Sequence, residues 1–135
     1  MQRVSIPTSA GEVTAFVAVP DGDAKAPGVV VIQEYWGINE QIRATAKRWT
    51  EAGFAAIVPD LYHGKLAADA AEAGRLMKAL DFGKAVQEIA AAVEYLRAHP
   101  RSTGKVAVSG YCMGGALTFA TAVNVRGLAA AVPFY

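Results

Sequence analysis

The sequence predicts an α/β fold in which helices cover both faces of a mostly parallel sheet. Two continuous apolar runs, at 29–32 and 106–108, have the composition of strands that are buried on both sides. Segments with helical periodicity separate these runs from the other predicted strands. Strands that alternate with helices form parallel sheets through right-handed crossovers, so ligands are expected beyond the carboxyl ends of the strands.

The first predicted elements are a hairpin and a central strand. Residues 2–6 and 12–19 are predicted as two strands, because the apolar residues of the second alternate on one face. We expect this hairpin at the edge of the sheet. The run at 29–32 is the predicted central strand, and 33–37 lie at its C-terminal end.

The middle of the chain predicts three helices and one strand. Asn39 is the predicted N-cap of a helix that ends before Gly53, and a strand is expected at 54–58. An alanine-rich helix is expected at about 67–80. The apolar spacing of 84–99 predicts a long amphipathic helix.

A predicted strand, a glycine-flanked turn and a predicted helix meet near Cys112. The strand at 106–109 leads into the residues GYCMG at 110–114, and a helix is expected to start near Met113. This is the nucleophile elbow pattern G-x-S-x-G with cysteine in place of serine. A helix N-terminus directs unpaired N–H groups at the thiol and favours the thiolate. Cys112 is therefore the candidate nucleophile, although a lone cysteine is more often a small buried hydrophobe.

Composition excludes several classes of function. Thirteen basic and twelve acidic residues are scattered along the chain, so a nucleic-acid-binding stripe is not expected. The chain starts without an apolar signal segment and has no apolar run of membrane-spanning length, so we expect a cytoplasmic protein with no membrane partner. Cys112 is the only cysteine, which excludes internal disulfides and CxxC metal patterns. We expect a small-molecule partner and neither a metal nor a cofactor.

Three segments together resemble the dienelactone hydrolase family of the α/β-hydrolase fold. They are QEYWGIN at 33–39, PDLY at 59–62 and GYCMGG at 110–115. The resemblance implies an α/β-hydrolase-like fold and a hydrolase that opens dienelactone, or a related lactone or carboxylic ester, through a cysteine nucleophile. The natural substrate stays open.

The resemblance also implies roles for individual residues. Cys112 is implied as the nucleophile, and Glu34 as the carboxylate that holds the resting thiol and takes its proton when substrate binds. The backbone N–H groups of Tyr35 and Met113 are implied as the oxyanion hole. Judged by itself, Glu34 is equally well interpreted as a helix-capping or solvent-facing carboxylate.

Trp36, Tyr111 and His63 complete the candidate site as possible pocket residues. Trp36 and Tyr35 either line the pocket or cover the edge of the sheet. His63 follows a predicted strand end and so lies on the functional side of the sheet. Its approach to Cys112 as a base is a hypothesis that rests on topology alone.

The family pattern is incomplete in this sequence. The acid and the histidine of the family follow the nucleophile, whereas His63 and His99 are the only histidines here. His99 is expected to interact with the last carbonyls of a helix, and Asp60 to form a turn. We expect residues 1–135 to form a single, incomplete domain of this kind, truncated after the strand that follows the elbow.

Three explanations of the short chain stay open: a fragment of a hydrolase, one half of a two-chain enzyme, or a remnant that binds a small molecule or partner without turnover. The last predicted strand, at 128–134, has the composition of a buried strand. An unpaired edge on this strand would favour self-association or pairing with a complementary chain.

Overall fold

In the computed structural model, which describes residues 1–135, six strands form one mixed sheet. The strands are β1 (Gln2–Thr8), β2 (Gly11–Ala18), β3 (Ala26–Ile32), β4 (Ala55–Pro59), β5 (Ser102–Tyr111) and β6 (Ala130–Phe134). Their order across the sheet is β1-β2-β4-β3-β5-β6. Strands β4, β3, β5 and β6 are parallel, and only the β1–β2 hairpin adds antiparallel pairs. The predicted mostly parallel sheet is confirmed, with the hairpin at one edge.

The chain also forms four helices. They are α1 (Glu40–Glu51), α2 (Ala70–Ala79), α3 (Phe82–Ala98) and α4 (Met113–Asn124). On one face of the sheet α1 packs against β3 and β4 and closes a small apolar cluster. On the other face α3 and α4 pack against each other and close the larger cluster. None of the helices combines the length and the apolarity that crossing a bilayer requires.

Strand β3 occupies the centre of the sheet because both of its faces are apolar. Val29 and Val31 belong to the cluster beneath α1, whereas Val30 and Ile32 belong to the cluster beneath α3 and α4. All four side chains are at most 3% exposed. A continuous β-branched run is what a strand covered on both faces requires, and the prediction of a central strand is confirmed.

The ends of α1 follow the predicted capping pattern. The Asn39 side chain accepts a hydrogen bond from the Ile42 N–H at 3.1 Å, which satisfies one unpaired donor of the first turn. Gly53 follows the helix with φ +93°, a conformation that favours glycine. These two residues set the direction in which the chain enters and leaves α1.

The predicted burial of the last strand is wrong. Four of the five residues of β6 are exposed, and only Ala131 is half-buried. The reason is topological: β6 is the last strand of the sheet, and α4 is the one helix that packs closely against its faces. Its apolar composition is therefore that of an uncovered edge.

Candidate active site

Cys112 occupies a strained backbone position between β5 and α4. Its φ of +57° and ψ of −120° lie in a region that residues with a Cβ atom rarely adopt. Backbone hydrogen bonds hold the residue there, since its N–H donates to the Phe134 carbonyl at 3.1 Å and its carbonyl accepts from the Ala116 N–H at 3.0 Å. Strain that the surrounding structure maintains in this way is typical of functional sites.

Glycines on either side of Cys112 allow three backbone segments to converge. A Cβ atom at Gly110 would lie 2.5 Å from the Gly114 carbonyl oxygen. A Cβ atom at Gly114 would lie 2.7 Å from the carbonyl oxygen of Gln33 and 2.8 Å from that of Ile32. The first turn of α4 thus rests directly on the end of β3. The predicted strand, tight turn and helix around Cys112 are confirmed.

The contact between α4 and β3 brings the loop after β3 next to the elbow. Glu34 and Tyr35 directly follow Gln33, and both are half-buried. The Glu34 carboxylate makes no hydrogen bond with the Cys112 thiol in this conformation, so its role in activating the thiol stays a prediction. The Tyr35 N–H has no backbone acceptor, and the Met113 N–H belongs to the unpaired first turn of α4. Both groups are free to donate, as an oxyanion hole requires.

Gln33 holds the turn after β4 against this loop, and Asp60 closes the turn itself. The Gln33 side chain is 0% exposed, and its Oε1 accepts from the Leu61 N–H at 3.1 Å. The Asp60 carboxylate accepts from the Gly64 N–H at 2.7 Å, which confirms the prediction of a turn-forming aspartate. The hydrogen bond between Leu61 and Gln33 therefore fixes the turn beside the end of β3.

His63 faces α3. It has a φ of +51°, and its Nε2 lies 3.0 Å from Glu88 Oε1. The Glu88 side chain is 2% exposed, and burial raises its pKa above the ordinary value, against the opposing effect of the His63 and Lys84 charges. His99 Nδ1 accepts from the Arg101 N–H at 3.1 Å. Neither histidine is hydrogen-bonded to Cys112.

The aromatic residues near the elbow pack against one another on both sides of Cys112 in the chain. The rings of Tyr35 and Trp36 meet edge to face with centroids 4.8 Å apart. The Tyr111 ring stacks on Phe134 with centroids 4.4 Å apart and planes inclined by 11°. Tyr111 thus contacts the edge strand β6, while its role in a pocket, like that of Trp36, stays a prediction.

Sequence reasoning missed two buried polar residues beside this site. Tyr62 is 5% exposed and its hydroxyl reaches Met113, and Glu88 is the partner of His63. A signal for Glu88 was present, because it lies at helical spacing between Ala85 and Ala92 on the buried face of α3. No comparable pattern marked the hydroxyl contact of Tyr62.

Comparison with known proteins shows which sequences share this arrangement. The sequence model of the dienelactone hydrolase family matches residues 13–135. Carboxymethylenebutenolidase 1 of Cupriavidus pinatubonensis is 38% identical over 125 residues, which are 86% of this chain and 53% of that protein. Carboxymethylenebutenolidase of Pseudomonas putida is 34% identical over 132 residues, which are 91% of this chain and 56% of that protein.

A solved structure has the same fold. The chain superposes on a dienelactone hydrolase-like promiscuous phosphotriesterase from metagenomic libraries with a TM-score of 0.82 and 28% sequence identity. The match covers 94% of this chain and 55% of that structure. This chain thus spans about half the length of the curated relatives and of the solved structure that it matches.

Proposed function

Because the chain belongs to the dienelactone hydrolase family, we propose that it acts on a lactone or carboxylic ester through the Cys112 thiol. The observation that carries the proposal is the position of Cys112, at a φ of +57° directly before the first turn of α4. Cys112 therefore directly precedes the unpaired N–H groups at the positive end of the α4 dipole. We also propose that the protein is cytoplasmic, as its sequence leads us to expect.

The proposed reaction begins with attack of the Cys112 thiolate on the carbonyl carbon of the ester. As the C–S bond forms, the π electrons of the carbonyl move to its oxygen, which accepts hydrogen bonds from the N–H groups of Tyr35 and Met113. Collapse of this tetrahedral species breaks the bond to the ester oxygen, which takes up the proton that Glu34 received from the thiol. The alcohol then leaves in the case of an ester, or stays tethered to the acyl group in the case of a lactone. Cys112 is left as a thioester, which water must then hydrolyse.

Glu34 is proposed to take the thiol proton when substrate binds. Its support is its place in the chain: it follows Gln33, whose carbonyl oxygen lies against the first turn of α4. A thiol that loses its proton only on substrate binding is protected from oxidation in the resting protein. Transfer from thiol to carboxylate leaves the total charge of the pair unchanged.

The second candidate function is binding or acylation without turnover. Hydrolysis of a thioester needs a base that activates water. His63 Nε2 is paired with Glu88, and His99 Nδ1 accepts from the Arg101 N–H. Neither histidine is thus paired with Cys112, which favours a domain that binds a small molecule or partner, or is acylated, without turnover.

A time course of dienelactone and activated-ester hydrolysis tests both candidates. The wild-type chain is compared with Cys112→Ala, and intact mass detects an acyl adduct on the protein. Steady turnover that Cys112→Ala abolishes supports the hydrolase. An adduct without turnover supports the second candidate. Equal rates and no adduct in either protein contradict both the hydrolase and the acylation of Cys112.

The edge strand supports a separate proposal about partners. Phe119 and Val123 on α4 are 65% and 73% exposed, and Val132 and Phe134 on β6 are each 39% exposed. We propose that this apolar surface and the unpaired β6 edge are covered by a further strand, from a second copy or a complementary chain. Light scattering at micromolar concentration tests self-association, and a monomer that also fails to bind a chain equivalent to the second half of the relatives contradicts the proposal.

A further inference from the structure

The Tyr62 side chain reaches from the turn after β4 to the first residue of α4. Its hydroxyl donates a hydrogen bond to Met113 Sδ at 3.3 Å. Tyr62 is 5% exposed and Met113 is 4% exposed, so the contact is shielded from water. A thioether sulfur is a weak hydrogen-bond acceptor. The hydroxyl therefore has a partner that a stronger acceptor nearby can replace.

The ring of Tyr62 also packs against the loop after β3. A Cβ atom at Gly37 would lie 3.4 Å from Tyr62 Cδ2. The Ala67 N–H donates to the Trp36 carbonyl at 3.0 Å, which fastens the segment after Tyr62 to the same loop. Tyr62 thus contacts both segments that border Cys112, and these contacts hold its hydroxyl beside the elbow.

The electrostatic surroundings keep Tyr62 protonated. Burial raises the pKa of Tyr62 to about 12, and negative charge on Cys112 adds to the rise. The geometry places the hydroxyl on the side chain of Met113, the residue that directly follows Cys112 in the chain. At neutral pH Tyr62 is a hydrogen-bond donor and does not lose its proton.

We propose that the Tyr62 hydroxyl donates a hydrogen bond to the Cys112 thiolate, exchanging the Met113 sulfur for the charged sulfur when the thiol is deprotonated. The inference rests on the proposed function, which makes Cys112 the nucleophile. Hydrogen bonds to charged acceptors are about twice as strong as neutral ones, and a hydroxyl hydrogen reorients by rotation. The Cys112 proton goes to Glu34 and Tyr62 keeps its own, so protons and charge balance.

Several titratable groups lie on the elements around Cys112. They are Glu34 after β3, Tyr62 and His63 after β4, Tyr111 at the end of β5 and Tyr135 after β6. Among the hydroxyls of this set, that of Tyr62 is the one that bonds to the residue adjacent to Cys112. Variants of Tyr62 and Met113 therefore isolate its effect on the thiolate from that of the other groups.

The pH dependence of Cys112 alkylation by iodoacetamide measures the thiolate directly, since the chain has one cysteine. Tyr62→Phe keeps the ring and removes the donor. We expect the midpoint of its alkylation profile to rise by about one pH unit, which makes the reaction roughly tenfold slower below the midpoint. An unchanged or lower midpoint overturns the inference.

Met113→Leu is the matched variant, because it removes the competing acceptor at similar side-chain volume. It leaves the hydroxyl free for the thiolate, so we expect its midpoint to fall. The double variant should retain the raised midpoint of Tyr62→Phe, since no hydroxyl remains to be released. A midpoint that stays unchanged or rises in Met113→Leu rejects the exchange of acceptors.

This experiment separates the inference from the proposed function. Alkylation is measured without substrate, so it reports the thiolate whether or not the chain turns over an ester. Equal ester hydrolysis by wild type and Cys112→Ala contradicts the proposed function and leaves the alkylation profiles interpretable. If circular dichroism shows that Tyr62→Phe does not fold, the direction of the Met113→Leu shift decides.

Discussion

Replacement of Gly114 by alanine should destabilise the fold at the point where β3 and α4 meet. The added Cβ atom would lie 2.7 Å from the Gln33 carbonyl oxygen and 2.8 Å from that of Ile32. Ordinary contact begins at 3.4 Å, so α4 must move away from β3 by about 0.7 Å. Both obstacles are backbone atoms at the end of the central strand β3, and they cannot rotate out of the way as a side chain can.

The expected loss for Gly114→Ala follows from this geometry. Overpacking a close contact costs about 1–3 kcal/mol, and two rigid obstacles favour the upper end of that range. With a urea dependence of about 2 kcal/mol/M, a loss of about 3 kcal/mol lowers the unfolding midpoint by roughly 1.5 M. Urea unfolding followed by circular dichroism measures this shift.

Gly74→Ala is the matched control. Gly74 lies inside α2, and a Cβ atom there would meet nothing within 4 Å. The substitution should stabilise the protein by up to about 1 kcal/mol, because alanine is the better helix former. A Gly114→Ala protein with a wild-type midpoint, measured beside a stabilised Gly74→Ala protein, refutes the close approach at the elbow.

Three other predictions concern single side chains. The pKa of Glu88 is raised from about 4.5 in the folded state, so its contribution to stability is full below that pH and is lost as the pH rises through the folded-state pKa. Glu88→Gln should abolish this loss, and urea midpoints of wild type and variant that change in parallel with pH contradict the prediction. Asn39→Ala removes the acceptor of the Ile42 N–H and should lower the free energy of unfolding by about 1 kcal/mol, whereas Asn39→Asp should keep most of this stability. Glu34→Gln should slow formation of the acyl adduct about a hundredfold or more while the fold stays intact, and intact-mass kinetics equal to wild type reject its role as the base.

The elements that local chemistry governs could be predicted from the sequence. The β1–β2 hairpin, the Asn39 cap and the elbow around Cys112 each depend on residues that lie within a few positions of one another. Alternation of apolar residues, capping by a short polar side chain and glycine at close approaches act over that range. Their boundaries shift by a few residues because neighbouring strands extend the ladders: β5 begins at Ser102 and not near Val106.

The burial of individual positions was less predictable. The last strand has the composition of a buried strand, yet its side chains are exposed because β6 lies at the edge of the sheet, where α4 is the one helix that packs closely against it. The reverse holds for Glu88, a carboxylate that is buried because α3 turns it toward the sheet and His63. Composition reports which residues a core prefers, whereas coverage by other elements decides which residues are inside.

By itself, the sequence determined the fold class and the candidate nucleophile, since strand and helix periods and the glycines around Cys112 are local properties of the chain. Only the tertiary structure decided which side chains meet at the site. The hydroxyl of Tyr62 reaches Met113 across 51 residues of sequence, and His63 pairs with Glu88 on a helix that follows α2. Such contacts depend on strand order, crossover direction and helix rotation together, and no short stretch of sequence encodes all three.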